Sequence, residues 1–197
     1  MGSSEMPQRS PAISQLPTHA RVRLFFALWP DDAVRDAIYK ASRGAVTTSG
    51  GRPVPPENFH VTLAFLGGIG DAAAEQAVFA ADEVNLPAFR FELDELGYWS
   101  NSQVVWFGCS MPPEGPRLLA HELRQSLTAR SLRPDPSKFV LHVTLARWVH
   151  KAGALDHAER IPWDVKEFAL ISSETRARGV DYTVLNRWPL GRQGVLI

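Results

Sequence analysis

Five residues, His60-Val61-Thr62-Leu63-Ala64, return unchanged 82 positions later as His142-Val143-Thr144-Leu145-Ala146. Each copy lies in a short β-prone run that follows a proline-containing loop. Bounded runs of this kind read as strands. The interval is too long for a solenoid repeat, so it fits two related halves of one molecule, each supplying one strand. Side chains alternate faces along a strand. His60 and Thr62 therefore share one face, as do His142 and Thr144, while Val61, Leu63, Val143 and Leu145 face a core.

Two imidazoles and two hydroxyls brought to one cleft form a recognisable chemical set. Histidine titrates near neutrality, so one ring can give a proton while the other accepts one. Threonine hydroxyls can donate hydrogen bonds to phosphoryl oxygens. Such a set suits phosphodiester cleavage without a metal. The competing reading, a divalent ion held by the histidines, asks for about three or four ligands. His150 and His157 lie in a polar stretch without ligand spacing, and Cys109 is the single cysteine. Cys109 reads as a small buried strand residue and precludes an internal disulfide. No metal and no cofactor are expected.

The rest of the chain predicts α+β architecture. Strands are expected at 21–29, 58–66, 89–94, 104–109, 139–148, 163–173 and 182–190. Helices are expected at 33–42, 71–84 and 114–130, the last from Leu119, Leu123 and Leu127 at helical spacing. Residues 44–56, with Gly50-Gly51 and three prolines, read as a loop. Strands that follow strands directly favour antiparallel pairing over a doubly wound parallel sheet. Residues 1–20 are polar and rich in Ser and Pro, and read as a disordered tail. Residues 21–197 read as a single bilobal domain.

Charge narrows the partners. Twenty-one basic residues balance 21 acidic ones, so no global field grips nucleic acid and an anion must meet a local site. The basic residues are 17 Arg and 4 Lys, a bias that permits phosphate recognition without requiring it. No apolar run reaches the ~18 residues of a membrane span. No signal peptide pattern opens the chain. The expected setting is the cytoplasm, without a membrane partner.

At the doubled motif the sequence resembles the 2H phosphoesterase superfamily, the LigT-like proteins, and within it the RNA 2′,3′-cyclic phosphodiesterase group. Arg23-Leu24-Phe25-Phe26-Ala27 resembles that group's opening strand. Residues 55–67 resemble its first motif block, and residues 139–147 its second. Ser172-Ser173-Glu174 and Tyr182-Thr183-Val184-Leu185 resemble its C-terminal strands. The likeness covers residues 21–190. One departure is Leu141, where that group usually has Pro; it leaves every reacting group in place but changes how the second strand can approach the cleft.

The resemblance implies two pseudo-symmetric halves, with antiparallel sheets flanking a central cleft and helices outside. It implies hydrolysis of a 2′,3′-cyclic phosphate on RNA or a nucleoside to a 2′-phosphate, and the reverse 2′–5′ joining of RNA ends. It implies His60 as proton donor, His142 as proton acceptor, and Thr62 and Thr144 as phosphate contacts. Arg147 becomes a further candidate phosphate contact. Strict alternation from His142 puts it on the opposite face, unless a bulge or the strand end turns it back. Phe25, Trp29 and Trp148 are candidates for stacking on a base; core packing competes for all three and is preferred for Phe25. The expected partners are RNA ends or nucleotides with a cyclic phosphate, met by a monomer. Two other readings stand beside this one: a related enzyme acting on a 2′–5′ oligonucleotide or an ADP-ribose cyclic phosphate, and a module that binds RNA or nucleotides without turnover.

Overall fold

The computed structural model describes residues 21–153, 155, 159–176 and 179–191. The expected N-terminal tail and His157 lie outside these residues. In chain order the elements are β1 (Val22–Leu28), α1 (Asp32–Ser49), β2 (Arg52–Pro53), a 3₁₀ turn (Pro56–Asn58), β3 (Val61–Ile69), α2 (Asp71–Asp82), β4 (Phe89–Leu93), β5 (Glu95–Trp99), β6 (Val104–Gly108), α3 (Glu114–Ala129), β7 (His142–Arg147), β8 (Ile161–Val165), β9 (Glu167–Arg176) and β10 (Gly179–Pro189).

The fold is α+β with antiparallel sheets. One four-stranded sheet runs β10-β9-β1-β3 and a second runs β2-β7-β6-β5, with β4 and β8 forming a separate two-stranded ribbon. All strand pairs given a register are antiparallel. The two histidine motifs thus belong to different sheets, on β3 and β7, and these two strands pack together. Helices tie the halves by crossing over. Helix α1 follows β1 of the first sheet but packs on β6 and β7, whereas α3 follows β6 of the second sheet and packs on β3 and α2.

Apolar burial explains this arrangement. Val61 and Leu63 of β3, Val143 and Leu145 of β7, and Leu119, Leu123 and Leu127 of α3 are all fully buried in one cluster. Each such side chain contributes about 1.5–3 kcal/mol relative to exposure. Strand β1 is buried on both faces: Leu24, Phe26 and Leu28 join the main cluster, while Phe25 and Ala27 join a smaller one with Ala169 and Ile171.

Several sequence expectations need correction. Helix α1 continues through Gly44 to Ser49 and stops at Gly50, whose φ of 64° is left-handed. Asp31 caps its start by accepting from the Val34 N–H at 2.8 Å. Val46 packs against the core, and this burial outweighs the ~1 kcal/mol cost of a mid-helix glycine. Residues 163–173 are not one strand but parts of β8 and β9. Strands β5 and β2 were not anticipated. Strand β5 has Gly97 at its centre because the Trp106 ring lies across it; a Cβ there would meet the indole at 2.0 Å.

Candidate active site

The two motif copies repeat in local geometry as well as in letters. In each, the imidazole bonds back to the carbonyl two residues earlier: His60 Nδ1 to Asn58 O at 2.7 Å, and His142 Nδ1 to Val140 O at 2.8 Å. A carbonyl only accepts, so each Nδ1 carries a proton and donates it, leaving Nε2 as the titrating nitrogen. The preceding residue is buried in both copies, Phe59 in one and Leu141 in the other. Leu141 therefore seats its histidine as Phe59 does, and the imidazole bond survives the absence of proline.

Both copies also carry the same bulge. On β3, Ala27 faces Thr62 and Phe26 faces Ala64, leaving Leu63 unmatched. On β7, Trp106 faces Thr144 and Val105 faces Ala146, leaving Leu145 unmatched. Leu63 with Ala64, and Leu145 with Ala146, are consecutive buried pairs, which strict alternation forbids and a bulge produces. The extra residue returns the fifth position to the histidine face. That position is Phe65 in the first copy and Arg147 in the second. The symmetry of the motifs is thereby broken by one guanidinium.

The cleft has two arms that share His60, Arg147, Val180 and Tyr182. The smaller, about 180 Å³, is also lined by Thr62, Arg23, Phe65, Ser173 and Thr175. The larger, about 630 Å³, is lined by Thr144, Arg52, Trp148 and Arg176 among others.

Aromatic rings enclose both imidazoles. Trp29 stacks on His60 with ring centres 5.7 Å apart and planes 13° apart. Phe25 lies 4.9 Å from the same ring and Tyr182 meets it edge-on at 5.4 Å. Trp99 contacts His142 edge-on at 4.6 Å. Burial lowers the His60 pKa from 6.5 to about 4, helped by the positive field of Arg147 and by His142, and opposed by the Asn58 carbonyl. Burial lowers His142 too, with Arg147 acting the same way and the Val140 carbonyl opposing. Both rings are therefore held neutral at pH 7, and a negative charge beside either would favour its charged form.

These positions answer the stacking expectations one by one. Phe25, 3% exposed, has its ring against His60 and Tyr182 rather than open to a base. Trp29 likewise stacks on His60, not outward. Trp148 alone of the three is exposed, at 58%. His121 points to solvent and Cys109 is half-buried on the edge of the core. Tyr182 and Trp99 were missed as site residues; they arrive from β10 and β5, and no spacing in the chain links them to either motif. Among the described residues no three His, Cys, Asp or Glu side chains gather as a metal set. Among the same residues no helix is long and apolar enough to cross a membrane.

The chain is similar in sequence and fold to known proteins. A family model described as LigT like Phosphoesterase matches residues 28–106. The RNA 2′,3′-cyclic phosphodiesterase of Escherichia coli (strain K12) is 33% identical over 170 residues, covering 85% of this chain and 96% of that protein. The RNA 2′,3′-cyclic phosphodiesterase of Thermus thermophilus is 34% identical over 186 residues, covering 86% and 90%. The crystal structure of E. coli LigT complexed with 3′-AMP superposes with a TM-score of 0.81 at 31% identity, covering 88% of this chain and 100% of that one.

Proposed function

The chain belongs to the LigT-like phosphoesterase family and is a phosphodiesterase, and from that premise we propose that it opens 2′,3′-cyclic phosphates at RNA or nucleoside ends by paired histidine catalysis. The twin imidazoles, each with Nδ1 tied to a carbonyl and Nε2 left to titrate, carry this reading. A water oxygen attacks phosphorus while His142 Nε2 takes its proton. The P–O3′ bond breaks as His60 Nε2–H gives its proton to O3′, leaving a 2′-phosphate and a 3′-hydroxyl. Thr62, Thr144 and Arg147 hold the non-bridging oxygens, where charge develops. Joining through a 2′–5′ linkage uses the same groups in the same order: a 5′-hydroxyl replaces water, His142 Nε2 takes its proton, and His60 Nε2–H again protonates O3′ as the P–O3′ bond breaks.

The order of the two histidines asks the more enclosed ring to hold the proton. The substrate's negative charge, set beside His60, supplies the missing stabilisation by raising its pKa in the complex. No metal is assigned a part, and the same reading takes residues 21–197 as one bilobal domain, active as a monomer in the cytoplasm. Incubation with a nucleoside 2′,3′-cyclic phosphate should give the 2′-phosphate alone, at a rate unchanged by EDTA. A 3′-phosphate product, or loss of activity restored by zinc, contradicts it.

A further inference from the structure

The larger arm of the cleft offers more than a cyclic phosphate needs. At about 630 Å³ it has the size of sites that enclose a small organic ligand, roughly 300–1,000 Å³. The smaller arm, at about 180 Å³, does not.

Its lining is chemically specific. Arg52 and Arg147 sit directly opposite each other on β2 and β7, and both line the groove. Opposed positions on antiparallel strands share a face, so the two guanidiniums present forked donors to one groove, Arg147 at the reacting phosphate and Arg52 beyond it, and such forks suit phosphate oxygens. The Arg52 guanidinium lies 5.4 Å from the centre of the Trp148 ring. Among the described residues, the groove's other charged groups are Glu57 and an Arg176–Asp181 pair at 3.1 Å.

Trp148 is displayed by construction. Its φ of 55° is a left-handed conformation that bulky residues rarely adopt. The next residue, Val149, is fully buried. Val149 is pinned by its N–H donating to Gln103 O at 3.0 Å and by Tyr98 Oη donating to its carbonyl at 2.7 Å. Gly51 lets β2 close on this turn, since a Cβ there would meet Val149 Cγ2 at 2.4 Å and Arg147 O at 2.8 Å. Backbone held in a costly conformation to keep an indole exposed beside two arginines is what a base-stacking platform requires.

We propose that this groove holds the nucleotide 5′ of the cyclic end of a single-stranded RNA, Arg52 meeting the phosphodiester that joins the last two nucleotides and Trp148 stacking on the preceding base. The proposal rests on the cyclic phosphate lying between His60 and His142. It makes the enzyme a reader of oligonucleotide ends rather than of mononucleotides.

The test is kcat/KM for a dinucleotide ending in a 2′,3′-cyclic phosphate, divided by that for the matching cyclic mononucleotide. The wild type should favour the dinucleotide about 10-fold or more, as one stacked base warrants. Arg52→Ala and Trp148→Ala should each bring the ratio towards one. Log kcat/KM should fall more steeply with log salt for the dinucleotide, by about 0.7 per phosphate contacted, and Arg52→Ala should remove the difference. A wild-type ratio near one, or a ratio that neither variant changes, overturns the proposal. Failure to turn over either substrate counts against cyclic phosphate hydrolysis instead. In that event calorimetric binding of a dinucleotide 2′-phosphate against a nucleoside 2′-phosphate decides the groove's role by the same ratio.

Discussion

At the scale of single residues, the site depends on placing two ordinary imidazoles in unlike surroundings. His60 sits among Trp29, Phe25 and Tyr182, whereas His142 has Trp99 at its edge. The His-x-Thr pairs were readable because alternation turns spacing into a shared face. Of the rings around them, Tyr182 and Trp99 were not, because they arrive from β10 and β5, far in sequence from the motifs they meet. Removing the stacked indole lets water reach His60 and weakens the desolvation that depresses it. Trp29→Ala should therefore raise the His60 pKa from about 4 back towards 6.5, read from imidazole NMR shifts between acid and neutral pH. An unmoved titration would show that Trp29 is not what keeps the ring dry.

At the scale of elements, bulges and glycines decide what pattern alone could not. Arg147 faces the cleft because Leu145 is an unmatched residue, a feature visible only once β6 lies beside β7. The same holds for β5, whose central Gly97 makes sense only once the Trp106 ring is laid across it. Helix α1 runs past its expected end because Gly44 resembles a terminator in sequence, whereas Gly50 is the glycine in the left-handed region. Nothing lies within 4 Å of a Cβ built on either glycine, so the backbone alone sets the effect of substitution. Gly44→Ala should stabilise by about 0.5–1 kcal/mol, and Gly50→Ala should destabilise by about 1 kcal/mol or more. Urea unfolding of the two variants checks this; equal effects of one sign would mean that α1 does not end where described.

At the scale of the whole molecule, the α+β class, the antiparallel pairing and the two-halved plan were legible from one repeated pentapeptide and the order of apolar runs. The helix crossover was not, because which sheet α1 covers depends on contacts between segments far apart in the chain. Folding around neutral histidines carries a pH cost. Below pH 6.5 the unfolded chain binds a proton at position 60 that the folded chain refuses until about pH 4, so stability falls as pH drops through that window. His142 acts in the same direction. The urea midpoint should drop between about pH 7 and pH 5, and His60→Gln should shrink that drop. An identical drop in the variant would assign the acid sensitivity to other groups.

The most direct test of paired proton transfer is the turnover number on a 2′,3′-cyclic phosphate for His60→Ala, His142→Ala and the double variant, with circular dichroism confirming that each is folded. Each single change should cost about 10²–10⁴ in rate, and the double should cost much less than the product of the two, as for groups acting as one unit. A folded single variant that keeps wild-type turnover would contradict the acid–base pair.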